Sequence, residues 1–179
     1  GLPVVNELER IQQAASRSAD ITRQLLAFAR ENKSAPEILD LNDCVDRSLK
    51  MIRRLIGEEI HLVWQPDSDV KSILADPTHL DQILINLCLN ARDAIEGDGL
   101  ILISTETLRV ETPFHTGQDR VEPGRYTCLT VTDNGAGIPS EILDKVMEPF
   151  FTTKEEADSA GLGLATVYGL MRQIDGYVR

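Results

Sequence analysis

The 179-residue chain has room for one domain and an appendage, and its 42% hydrophobic and 26% charged content is that of a soluble globular protein. A net charge of −11 argues against nucleic acid as a partner, and any polyphosphate ligand would need a divalent cation to offset it. Apolar runs too short to span a bilayer argue against direct membrane contact, and the dispersed Cys44, Cys88 and Cys128 fit a reducing, cytoplasmic setting rather than a disulfide frame or zinc site.

Residues 2–30 read as one long helix. Val4, Leu8, Ile11, Ala15, Ser18, Thr22, Leu25 and Ala29 alternate steps of four and three, a heptad seam. A single helix cannot bury such a stripe, so it is expected to meet another helix, in cis or from a second chain. The NKSAPE segment breaks the helix at Pro36 and divides the chain into residues 1–34 and 35–179. Asn42 or Asp43 is the expected cap of a helix through Val45, Leu49, Ile52 and Ile56 that stops at Gly57. Residues 59–64 and 71–74 are short strand candidates on either side of a turn-like QPDSD.

Asp76-Pro77 opens a helix expected to run to Glu96, with Leu80, Ile83, Leu84, Leu87, Ala91 and Ala94 as its apolar face. Gln82, Asn86, Asn90 and Asp93 recur at steps of four, four and three on a second stripe, flanked by Ile85 and Leu89. A buried amide without a partner costs about 1–3 kcal/mol, so something polar is expected against Asn86, Asn90 and Asp93.

Residues 100–110 and 125–132 read as two long strands joined by the polar ETPFHTGQDRVEPG as an extended hairpin loop, and the second runs straight into Asp133. Pro139 opens a short helix through Ile142, Leu143 and Val146, and residues 164–174 form a last amphipathic helix. Gly176 to Arg179 resembles the start of a strand that the chain does not finish. Helices alternating with strand pairs predict an α+β fold: a two-layer sandwich with a mixed, mostly antiparallel sheet and helices on one face.

The stretch 133–164 carries the chemistry. Gly135 and Gly137 follow a carboxylate and let backbone approach a ligand, while Gly161 and Gly163 precede a helix whose free N–H groups favour an anion. A carboxylate at one end and a phosphate cradle at the other suggest a nucleotide held lengthwise; taken singly, each pair also reads as an ordinary glycine turn. DPTHLDQILINLCLNARDAI, DNGAGI, EPFFTTK and GLGL, in this order, resemble the N, first glycine, F and second glycine boxes of sensor histidine kinases. That family has the Bergerat ATP-binding fold, shared with DNA gyrase, mismatch-repair ATPases and the ninety-kilodalton heat-shock chaperones.

The resemblance implies ATP and Mg²⁺ as ligands. Asp133 would accept from the adenine amine, with Gly135 and Gly137 leaving room for the base. Asn90 would be the magnesium ligand, with Asn86 and Asp93 on the same stripe of the site. Arg92 and Lys154 are the candidate cations for phosphate oxygens, and Gly161, Leu162 and Gly163 would offer backbone N–H groups. Asn86, Asn90 and Lys154 are the candidate catalytic set. Phe150 and Phe151 read equally as anchors of a lid and as plain core. The EEADSA that follows Lys154 departs from the family's glycine-rich lid and predicts modest ATP affinity, since Glu155, Glu156 and Asp158 would face the triphosphate.

Relatives that hydrolyse ATP carry a Glu at the position of Asn86, and an amide cannot activate water. This favours a kinase that transfers the γ-phosphoryl group to a histidine, for relay to an aspartate on a response-regulator receiver domain. None of His61, His79 and His115 has the family's phosphoacceptor context, and His79 fits a capping or solvent role, so the acceptor is expected outside this chain. The ITRQLLAFAR segment resembles the second helix of the dimerisation hairpin, which implies a homodimer through the N-terminal helix, with any membrane anchor upstream. The alternatives are a Bergerat-fold ATPase and a non-catalytic dimerisation or scaffold module with a degenerate lid.

Overall fold

The computed structural model describes residues 35–117, 119–153 and 161–179. The expected dimerisation helix within residues 1–34, its homodimer contact, and Lys154 all lie outside them. Helix α1 (Leu41–Ile56) starts from Asp40, whose carboxylate accepts from the N–H groups of Asn42 (2.9 Å) and Asp43 (3.3 Å). The cap is thus neither Asn42 nor Asp43. Asn42 is used across the fold instead: its Nδ2 donates to the Asp67 carbonyl (2.9 Å) and its Oδ1 accepts from the Thr105 hydroxyl (2.7 Å). Gly57, at φ +89°, ends the helix in backbone that a side chain would strain.

Strand β4 (Gly99–Val110) is the centre of a three-stranded sheet. It runs parallel to β2 (Ile60–Gln65) and antiparallel to β7 (Gly124–Asp133). The parallel pair is joined across α2 (Pro77–Ala94), which packs back on the sheet as the crossover. Two antiparallel ribbons complete the described strands: β1 (Glu37–Leu39) with β3 (Ile73–Ala75), and β5 (Phe114–Thr116) with β6 (Asp119–Val121). The sheet is therefore mixed, and antiparallel pairing prevails elsewhere, as expected.

Period-2 alternation puts Ile101, Ile103 and Thr105 of β4 inward with Ile60 and Leu62 of β2. Against them lie Val45, Ile52 and Ile56 from α1 and Leu80, Leu84, Cys88 and Ala91 from α2. Each such buried aliphatic side chain contributes about 1.5–3 kcal/mol. A hydrogen bond from Ser48 to Asp81 joins the two helices at the edge of this layer. Cys44 and Cys88 are buried free thiols; burial pushes Cys88 up to about 12.

Some boundaries differ from the sequence reading. Helix α2 ends at Ala94 because Ile95 turns extended to enter β4. The helix after Pro139 is one 3-10 turn (Ser140–Ile142), continued by single hydrogen-bonded turns to Glu148. The polar loop between the long strands folds back as the β5–β6 hairpin. Helix α3 (Gly163–Gln173) packs on α2 through Val167 and Leu170 against Ile83. Residues 176–179 make no strand; Gly176 N–H donates to the Met171 carbonyl (2.8 Å), and Val178 joins the α2–α3 contact.

Candidate functional site

Helix α2 has two buried sides, one on the sheet and α1, the other on α3. The stripe between them explains its polar residues. Asn86 is only 7% exposed, and the side-chain nitrogen of Asn90 is buried with no hydrogen-bond partner among the described residues. Folding alone does not account for an amide in that state, since leaving it unpaired costs about 1–3 kcal/mol.

What stands beside Asn90 is the start of α3. A Cβ on Gly163 would lie 3.1 Å from both Nδ2 and Oδ1 of Asn90, so only glycine lets the helix end come this close. Leu162, at the N-cap, supplies no side-chain cap. The first-turn N–H groups of α3 and the positive end of its dipole thus have no capping side chain and adjoin an amide, an arrangement suited to phosphate oxygens.

The other end is built from β7. The Asp133 carboxylate accepts from Gly135 N–H (2.8 Å), an Asx turn, and Asp133 itself is exposed. Gly135 sits so tightly on the end of α2 that an added Cβ would meet the Ala94 carbonyl oxygen at 2.5 Å, and Ala136 N–H donates to that oxygen (2.9 Å). Asn134 ties the same turn to β4 by accepting from Leu100 N–H (2.8 Å). Gly137 adopts φ +71°. Ala94 lies one helical turn, about 5.4 Å, beyond Asn90. Carboxylate, amide and helix N-terminus therefore succeed one another along α2.

A third part lies just ahead of α3. Phe150 N–H donates to the Gly161 carbonyl (2.9 Å), and a Cβ on Gly161 (φ +63°) would meet the Phe150 carbonyl carbon at 2.5 Å. Phe150 is held at φ +68° and is 72% exposed, so it is not core; Phe151 is half-buried. The pair clamps the two ends of the segment that contains Lys154.

Arg92, expected as a cation for phosphate oxygens, makes other contacts in this structure. It lies about 200° around the helix from Asn90, and its guanidinium is committed on the α1 side. Nη1 donates to the Leu55 carbonyl (3.0 Å) at the end of α1, and Nε and Nη2 bond Asp93 Oδ1 (2.8 and 2.5 Å). Those bonds engage Asp93 as well. Asn134 was missed by the sequence reading; its position between Asp133 and Gly135 is the only signal that marked it. His61 and His115 are exposed and His79 is half-buried, its Nδ1 buried without a partner.

No three His, Cys, Asp or Glu side chains converge among the described residues. A hard cation here would have to share its ligands between the Asn90 amide and a bound phosphate chain, which suits magnesium chemistry. An open hollow of about 630 Å³ by Arg109, Glu111 and Arg125 lies at the far end of β4 from Gly99 and takes no part in this arrangement.

Residues 75–179 match the family model described as histidine kinase-, DNA gyrase B-, and HSP90-like ATPase. Sensor kinase CckA of Brucella abortus is 36% identical over 98% of the chain, which covers 19% of that protein. Sensor histidine kinase ZraS of Salmonella typhi is 32% identical over 99% of the chain, which covers 36% of it. The chain thus spans well under half of these relatives. Among solved structures, histidine kinase ThkA in complex with response regulator protein TrrA aligns over 93% of this chain and 43% of its own, at 25% identity and TM-score 0.66. No described helix is long and apolar enough to cross a membrane.

Proposed function

The chain belongs to the histidine kinase-, DNA gyrase B- and HSP90-like ATPase family, as an ATP-binding domain of the sensor histidine kinase kind, and from that premise we propose that it transfers the γ-phosphoryl group of ATP to a histidine outside residues 35–179. The observation that carries this reading is the Asn90 side chain held against the N-terminus of α3, its buried amide nitrogen without a hydrogen-bond partner among the described residues.

Asp133 accepts from the adenine amine, and Gly135 and Gly137 let the base lie against the turn. Asn90 would hold a magnesium ion through its amide oxygen, and that ion would supply charge neutralisation for the phosphates against an acidic chain. Asn86, one turn earlier, orients the same group. The backbone at Gly161, Leu162 and Gly163 donates to phosphate oxygens, and Lys154 adds a cation from the clamped segment. The acceptor imidazole nitrogen forms the new bond to the γ-phosphorus as the bond to the bridging oxygen breaks and ADP leaves.

Asn86 favours a kinase over a hydrolase. It is buried and stands where the ATP-hydrolysing relatives resembling this fold carry a Glu, and an amide cannot take a proton from water. From the acceptor, the phosphoryl group passes to a receiver-domain aspartate; the ThkA complex with its response regulator supports that class of partner. Dimerisation through residues 1–34 and a cytoplasmic setting complete the proposal.

The test mixes the 179-residue chain with ATP, Mg²⁺ and a separately supplied helical hairpin that carries an acceptor histidine. The expected result is acid-labile phosphate on the hairpin, lost with Asn90→Ala. Steady phosphate release with no transfer overturns the kinase reading in favour of an ATPase, and no nucleotide binding overturns both.

A further inference from the structure

Helix α3 is gripped from two sides, and only one of them is part of the site. Toward α2 it presents Val167 and Leu170 to Ile83. On its other side, β6 of the hairpin brings up Asp119. Tyr168 hydroxyl donates to Asp119 Oδ2 (3.0 Å), Arg172 Nη1 lies 3.5 Å from Asp119 Oδ1, and Arg172 also donates to the Tyr168 hydroxyl (3.3 Å). Tyr168 and Arg172 are four residues apart, so one carboxylate reaches both from one face of the helix. That carboxylate is well covered, at 18% exposure. The hairpin also holds the C-terminal residues beyond the helix: Thr116 hydroxyl donates to the Val178 carbonyl (2.6 Å), and the Arg179 guanidinium lies 5.9 Å from the centre of the Phe114 ring.

The two grips constrain different things. Apolar packing sets how far apart α2 and α3 lie, but it is non-directional and resists sliding along the helix axis weakly. Hydrogen bonds are directional, and the Asp119 pair fixes axial position and rotation. Axial position matters because the first turn of α3 adjoins Asn90 with no room to spare at Gly163.

We propose that the β5–β6 hairpin is a positioning element for phosphate binding: Asp119, acting through Tyr168 and Arg172, holds the register of α3 along α2 and so places its first-turn N–H groups against Asn90. The role rests on the proposed nucleotide site. It concerns only the phosphate end, because Asp133 and Gly135 are anchored on β7, β4 and the end of α2.

Calorimetric titration of the 179-residue chain with MgATP and, separately, with adenosine tests this, with thermal melts to monitor folding. Asp119→Ala is expected to weaken MgATP about five- to tenfold, the size of one charge-assisted contact transmitted to the site, and to leave adenosine within about twofold. Asp119→Asn keeps an oxygen acceptor for Tyr168 and is expected to recover most of the loss. If Asp119→Ala does not fold, Tyr168→Phe, which deletes one hydroxyl, is expected to shift the same ratio in the same direction. Equal weakening of both ligands, or no change in the ratio while the wild type binds both, overturns the positioning role alone. A wild-type chain that binds neither ligand overturns the nucleotide reading and the positioning role with it.

Discussion

Gly163→Ala separates what the site needs from what the fold needs. The new methyl group would stand 3.1 Å from both polar atoms of the Asn90 amide and 3.5 Å from its Cγ. Comfortable contacts begin near 3.5 Å, so either the amide or the helix end must yield by a few tenths of an ångström. Gly163 has no left-handed φ, and alanine favours helix over glycine by up to about 1 kcal/mol, so the folded state should hold its stability or gain slightly. Binding should move the other way. A displaced ligand amide and retreating N–H groups forfeit about 1.4 kcal/mol of phosphate interaction, a tenfold rise in Kd for MgATP. Adenosine, held at the Asp133 end, should bind as before. Calorimetry on both ligands with a parallel thermal melt makes the comparison. A variant with lowered Tm and unaltered MgATP affinity would refute the reasoning, because the glycine would then serve packing alone.

Arg92→Ala should leave MgATP affinity within about twofold while lowering stability by under about 1 kcal/mol, a bond to a helix-end carbonyl weakened by solvent; a tenfold loss of affinity by calorimetry would return Arg92 to the phosphate site. Asp133→Asn replaces an acceptor with an amide that can present its donor to the adenine amine, so ATP affinity should fall at least about a hundredfold, and untouched affinity in the same titration contradicts the purine assignment. Burial raises the Cys88 thiol from its ordinary 9.0 to about 12, so the folded chain holds that proton more tightly than the unfolded one. Its contribution is complete below about pH 9 and is lost as pH rises toward 12, at about 1.4 kcal/mol per unit at most, so the gap between the denaturant midpoints of wild type and Cys88→Ala should be constant below about pH 9 and narrow only in that window.

The parts of the site that were legible in the sequence are those whose residue type is dictated by backbone. Gly135 and Gly161 would collide with carbonyl groups if they carried a Cβ, and they announce themselves in the sequence as a glycine two residues after a carboxylate and the first glycine of GLGL. The α2 amide stripe was legible too, because two polar residues at helical spacing between apolar neighbours contradict the pattern of a helix packed on one side. The features that stayed hidden depend on partners far along the chain. Asp40 displaced Asn42 as the cap of α1 because Thr105 and Asp67, dozens of residues away, claim the Asn42 amide. The bond from Arg92 to the Leu55 carbonyl was hidden too, because it is decided only by where α1 ends.

The hairpin shows the same limit from the other direction. Nothing in ETPFHTGQDRVEPG distinguishes a brace from a solvated connection, since three-residue strands carry too little periodicity to read. Its meaning lies in Asp119 meeting Tyr168 and Arg172. A site strung along α2 requires a second helix to arrive at one turn and no other. The residues that touch a ligand therefore cannot by themselves account for its geometry; the elements that stop α3 from sliding belong to the site as much as the glycine that opens it.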